Sequence, residues 1–191
     1  MNLENLIGHL EKVEKLVSEY SGGYSERYFS AEEFHAELKD RIEKLKKGYY
    51  YVIYDLDLWF LPTSDWDDFV GIEGMEIANK LSPQLSRIKD KLEIKKICLN
   101  EFYSIDNFHS HLKKEFRFPE TYGKNWDAFW DSITDLENKP DLIIFFGWNE
   151  FKSKFERDSN ILKQIVNDYN NEFNNRPIII KDYKITNANN V

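Results

Sequence analysis

Cysteine is almost missing from this 191-residue chain. Cys98 stands alone, so no internal disulfide can form, which fits a reducing compartment. Long apolar runs are missing too: no stretch approaches the roughly 20 apolar residues that cross a bilayer. The opening MNLENLIGHLEKVEKL carries acids early and has no unbroken apolar stretch, so a secretory signal is not expected and a cytoplasmic location is. Positive charge is in deficit: 26 Lys and Arg face 34 Asp and Glu, a net of −8. Direct nucleic-acid binding is disfavoured, because phosphate contacts need clustered cations. His9, His35, His109 and His111 are scattered, and His109 and His111, two apart, do not share a helix face. With Cys98 alone, this pattern does not resemble a Cys/His metal site. Neither a phosphate-cradling glycine loop nor a nucleophile elbow is present. No metal, cofactor or catalytic residue is expected.

What is present is ample core material. Hydrophobic residues make up 41% and aromatics 16%, enough to exclude a disordered tail. Leu3, Leu6, Ile7, Leu10, Val13, Leu16 and Val17 fall at helical spacing, and Ser21-Gly22-Gly23 ends that helix. Ser30 followed by Glu33 is a capping-box pattern opening a helix through Phe34, Leu38, Ile42 and Leu45. Tyr49 to Leu58, rich in aromatic and β-branched residues, predicts a strand. An acidic aromatic loop, LWFLPTSDWDDFVGIEG, follows, then a helix from Met75 to about Leu92 disturbed near Pro83.

The pattern then restarts. Ile94–Leu99 predicts a strand, Ile105–Phe116 and Lys124–Leu136 two helices, and Leu142–Phe146 a buried strand. Asn149–Phe155 and Ile161–Phe173 predict helices, Pro177–Ile180 begins a last strand, and 187–191 is a polar end expected to fray. Strands joined by helical crossovers imply an α/β unit with a small parallel sheet. Two domains follow: a mainly helical α+β domain over 1–93 and an α/β domain over 94–191. The first carries 12 Lys/Arg against 19 Asp/Glu, a net of −7; the second is nearly balanced at −1.

On the Lys124–Leu136 helix, Asp127, Asp131 and Asp135 recur at i, i+4 and i+8 and form one carboxylate stripe. Like charges at that spacing destabilise a helix by a few tenths of a kcal/mol per pair, and Asp is a poor helix-interior residue. A stripe that opposes its own helix points to a purpose other than stability. Trp126 and Trp130 lie beside the acids and Tyr122 precedes them; such aromatics dominate many interfaces. Acids flanked by aromatics complement a basic cleft such as that of a phosphate-binding enzyme.

The run PETYGKNWDAFWDSITD, Pro119 to Asp135, closely resembles the signature of the barstar family, intracellular inhibitors of a secreted ribonuclease, and the resemblance extends over about 94–185. It implies a three-stranded parallel sheet with packed helices, and a helix with its preceding loop that plug a ribonuclease active site. Carried over residue by residue, it implies that Asp131 substitutes for a phosphate among catalytic cations. By the same resemblance Asp127 is a second acidic contact, Trp130 an aromatic one, Thr134 a polar one at the helix end, and Trp126 a further interface position. Thr121 stands where the family has an interface tyrosine, Tyr122 keeps the next one, and Asp135 replaces a glycine. An acidic contact from the last helix falls on Asn167 or Asp168. The implied function is an immunity- or antitoxin-type inhibitor with no enzymatic activity, whose partner is a basic nuclease toxin encoded nearby. The alternative is a barstar-fold interaction module for a non-nuclease partner.

Residues 1–93 carry a second acidic stretch. Between Gly48 and Asn79 stand Asp55, Asp57, Asp65, Asp67, Asp68, Glu73 and Glu76 and no Lys or Arg, among Trp59, Phe60, Trp66 and Phe69. This is either a second binding surface or an acidic surface segment whose aromatics are core. Val52-Ile53-Tyr54-Asp55-Leu56-Asp57 also resembles the strand-end DxD of haloacid-dehalogenase-type phosphatases, which needs a later lysine and more acids on other strands.

Overall fold

The computed structural model describes residues 3–182, and the chain forms two compact units, 1–92 and 93–191. The frayed end expected at 187–191 lies outside the described residues.

Every secondary-structure element among the first unit's described residues is helical. Helix α1 (Leu3–Val17) buries Leu6, Leu10, Val13 and Val17, one stripe at 3.6-residue periodicity. Helix α2 (Ala31–Lys46) is capped by Ser30, whose hydroxyl accepts from the Glu33 amide (3.2 Å), and buries Phe34, Leu38, Ile42 and Leu45. The strand expected over 49–58 is a correction. Tyr50–Val52 is a turn of 3-10 helix leading into helix α3 (Ile53–Trp59). Val52, Ile53, Leu56, Trp59 and Phe60 are all buried, so the core positions recur at helical spacing despite a strand-like composition. The domain expected to be α+β therefore holds no strand among its described residues.

The expected acidic loop also folds. Helix α4 (Asp65–Val70) and helix α5 (Ile72–Lys89) meet at Gly71, whose φ of 60° and ψ of −144° suit glycine, and α5 continues through Pro83. The two helices touch where Gly74 faces Trp66: a Cβ at Gly74 would lie 2.4 Å from the indole. Trp59, Phe60, Trp66 and Phe69 are core, so the acidic segment's aromatics are not a surface. Asp55 and Asp57 sit on α3 and not at a strand end, which removes the context of the phosphatase motif. Asp55 accepts from the Arg41 guanidinium (3.0 Å), and fully buried Asp57 accepts from the Ser86 hydroxyl (2.5 Å) and pairs with Lys89.

The second unit is α/β. Strands β1 (Ile94–Cys98), β2 (Leu142–Phe146) and β3 (Ile178–Lys181) lie parallel in the order β1-β2-β3. Central β2, Leu-Ile-Ile-Phe-Phe, is buried along its whole length, as expected of a strand covered on both faces. Helix α6 (Ile105–Glu115) and helix α7 (Trp126–Thr134) connect β1 to β2; helix α8 (Trp148–Lys154) and helix α9 (Glu156–Glu172) connect β2 to β3. Phe108, Phe129, Ile133, Phe145, Phe151, Leu162 and Tyr169 form the centre of its core.

Candidate functional site

The site is built on α7. Asn125 caps it, its side-chain oxygen accepting from the Ala128 amide at 2.8 Å, and Lys124 just before it is left-handed at φ 49°. The helix is therefore shorter at both ends than the expected 124–136. Phe129 and Ile133 point into the core, which turns Asp127 and Asp131 out to solvent. Asp135 falls at the C-cap, exposed and beyond the last full turn. Asp127, in the first turn, interacts favourably with the helix dipole, whereas Asp131 and Asp135 lie towards the carbonyl end, where negative charge is unfavourable.

Trp126 and Trp130 are half-buried and lean on α9. The Trp126 indole N–H donates to an oxygen of Asp158 at 2.7 Å, and its ring meets His109 edge-on at 4.8 Å. Ile161, Ile165 and Asp168 stand at i, i+4 and i+7 on α9, one face directed at α7. Together Trp126, Asp127, Trp130, Asp131, Ile161, Ile165 and Asp168 line a cleft of about 340 Å³. Its floor is indole and isoleucine and its rim is three carboxylates. Gln164 fixes Asp168, its amide donating to both carboxylate oxygens at 2.9 and 3.1 Å.

Five of the expected residues thus converge: Trp126, Asp127, Trp130, Asp131 and Asp168. Between the two α9 alternatives, Asp168 lines the cleft; Asn167 is exposed beside it and does not. Thr134 donates its hydroxyl to the Trp130 carbonyl (2.8 Å), an internal helix contact, and Thr121 is exposed on the preceding loop. Tyr122 is set beneath the surface. It is 7% exposed, and its hydroxyl lies 2.6 Å from His109 Nδ1. Burial holds the Tyr122 phenol well above its ordinary range and pulls His109 down to about 4. Sequence reasoning missed Asp158, Ile161 and Ile165. Their only signal is their i, i+3, i+7 spacing on α9, which a sequence alone does not align with α7.

Among the described residues that line this cleft the charged groups are all carboxylates, so they offer a phosphate no cation. Aromatic faces beside carboxylates receive guanidinium and ammonium groups: the ring attracts the cation and the carboxylate accepts its hydrogen bonds. Among the described residues no group of three or more His, Cys, Asp or Glu could hold a metal ion, and no helix is long and apolar enough to cross a membrane. Chemically, the arrangement can receive cationic groups.

Residues 92–182 match the family described as Barstar (barnase inhibitor). The chain is also similar to the Bacillus subtilis (strain 168) protein named "Putative ribonuclease inhibitor YrdF", with 34% identity over 55 residues. That stretch is 29% of this chain and 59% of the relative, so the chain spans less than two thirds of the length of the curated relative it matches.

Proposed function

We infer, from a chain whose residues 92–182 form a barstar-family domain, that it is an intracellular inhibitor of a ribonuclease or related nuclease toxin, of immunity or antitoxin type. It blocks its target by occupying the active site and catalyses nothing itself. The observation that carries this reading is the cleft of Trp126 and Trp130 rimmed by Asp127, Asp131 and Asp168 with no cation among its lining residues. A nuclease active site is lined by the Lys, Arg and His that hold phosphate, and Asp131 offers them a carboxylate in its place. The partner is a basic nuclease encoded beside this chain and made by the same cell or delivered by a neighbour.

The test is inhibition of RNA cleavage by the product of the adjacent gene, with binding kinetics measured at two salt concentrations. The association rate falls as salt rises, because exposed acids steer a basic partner. Replacing Asp131 with Ala weakens the complex by at least about 2 kcal/mol, roughly 30-fold in Kd, if the carboxylate is buried against active-site cations. A loss below about 1 kcal/mol would leave it a solvated rim charge and remove its assigned role. The same variant melts no lower than the parent, since it relieves a charge opposed to the helix dipole. The departures from the family pattern at Thr121 and at Asn167/Asp168 keep tenable the alternative of an interaction module for a non-nuclease partner. A purified partner that binds through Asp131 yet cleaves neither RNA nor DNA would establish that alternative.

A further inference from the structure

The first unit exposes apolar side chains that its own core does not use. Ile72 is 85% exposed and Met75 47%, although both lie on α5, whose inner face is already filled by Gly74, Ala78, Leu81 and Leu85. Tyr24, in the loop between α1 and α2, is 80% exposed. Single exposed apolar residues are ordinary, but adjacent ones mark interaction surfaces. Two contacts hold this loop against the α4–α5 corner. The Tyr20 hydroxyl donates to Glu73 at 2.7 Å, and the Phe69 ring lies 3.5 Å from where a Cβ on Gly23 would stand. Tyr24 follows Gly23 and Ile72 precedes Glu73, so each is next in sequence to a residue of these contacts, and Met75 stands three residues after Ile72 on α5.

Charge selects the occupant. Asp68, Glu73 and Glu76 near these residues in sequence are exposed; Lys80, on the same helix, lies on Glu76 at 2.6 Å in a solvent-exposed pair of little strength. The nearest loop cation, Arg27, is taken up by buried Asp65. An anionic apolar face repels nucleic acid and anionic lipid. It also opposes a second copy of a chain whose first 93 residues carry a net charge of −7. We propose that Tyr24, Ile72 and Met75, with Asp68, Glu73 and Glu76 around them, form a docking surface for a basic polypeptide segment that presents aliphatic side chains between lysines or arginines. Met and Tyr adapt to such segments: one is flexible and polarizable, the other rigid with a polar tip. This surface lies within the first unit and does not depend on the ribonuclease reading of the second.

The test titrates the full chain, carrying Asp127→Ala and Asp131→Ala to silence the α7 acids, with a short amphipathic leucine–lysine peptide, followed by NMR. Resonances of Tyr24, Ile72 and Met75 move at low salt, and the leucine–glutamate counterpart leaves them in place. Adding Ile72→Ser with Met75→Ser weakens peptide binding at least about tenfold and leaves the melting temperature unchanged, because both side chains are exposed. Three outcomes would overturn the proposal: unchanged affinity in the serine variant, an equal response to the acidic peptide, or sedimentation showing that this face pairs two copies of the chain.

Discussion

Acidification should destabilise the second unit through one histidine. His109 is fully buried on α6, its Nδ1 lies 2.6 Å from the Tyr122 hydroxyl, and its Nε2 is buried with no hydrogen-bond partner. Burial is the largest influence and lowers its pKa to about 4; Asp158 and Asp106 pull it back up, and Lys124 adds to the lowering. In the unfolded chain the same imidazole titrates near 6.5. The folded value is the lower one, so the unfolded state binds the extra proton. Stability is therefore fully present above about pH 6.5 and is lost as pH falls from there through about 4. A difference of roughly 2.5 units corresponds to about 3 kcal/mol, a large part of the 5–15 kcal/mol that holds a typical domain. The assay is urea unfolding between pH 7.5 and 4, followed at the Trp126 indole resonance, which reports its own unit and touches His109 edge-on. Carboxylates add their own pH dependence, so the parent is compared with His109→Gln, which cannot protonate. The parent should lose about 3 kcal/mol more than the variant across this range. Parallel stability curves for the two proteins, or a His109 midpoint at or above 6.5, would refute the reasoning.

The remaining predictions concern packing and charge. Gly74→Ala should cost about 1–3 kcal/mol of first-unit stability in a denaturant melt, because its methyl would meet the Trp66 ring at 2.4 Å. Lys89→Ala should cost about 2–4 kcal/mol, since it strands the fully buried Asp57 carboxylate with only the Ser86 hydroxyl; Asp57→Asn in the same background should recover part of the loss. Asp158→Ala frees the Trp126 indole N–H and should weaken partner binding several-fold with far less effect on folding, read by binding kinetics beside Trp fluorescence.

Legibility from the sequence tracked whether an element's environment is written in its own residues. Leu142–Phe146 carries its burial in five consecutive apolar residues, and the expected strand matches the observed β2 to the residue. Helices α1 and α2 declare themselves through a stripe and, for α2, a cap. Tyr49–Leu58 misleads for a physical reason: aromatic and β-branched residues suit a pleated surface, but that preference is realised only beside a partner strand. The strands among the described residues all belong to the second unit, and this segment closes its hydrogen bonds within a helix. Pro62, Thr63 and Ser64 signal a turn, yet Trp66, Phe69 and Val70 beyond it drive α4 into the core. A loop-like composition there masked six helical residues.

The acidic stripe shows the same division. Its existence, the placing of Asp127 and Asp131 on one side of α7 and the presence of Trp126 and Trp130 beside them follow from spacing, because 3.6 residues per turn is a property of the helix alone. The motif they belong to resembles that of the barstar family, whose model matches residues 92–182. That α9 lies across from α7, that Asp168 and not Asn167 completes the rim, that Tyr122 drops beneath the surface onto His109, and that Asp158 holds Trp126 were decided by tertiary structure. Each depends on the rotation of one element about its axis relative to another. That phase is set by how two cores interlock, and no local pattern encodes it.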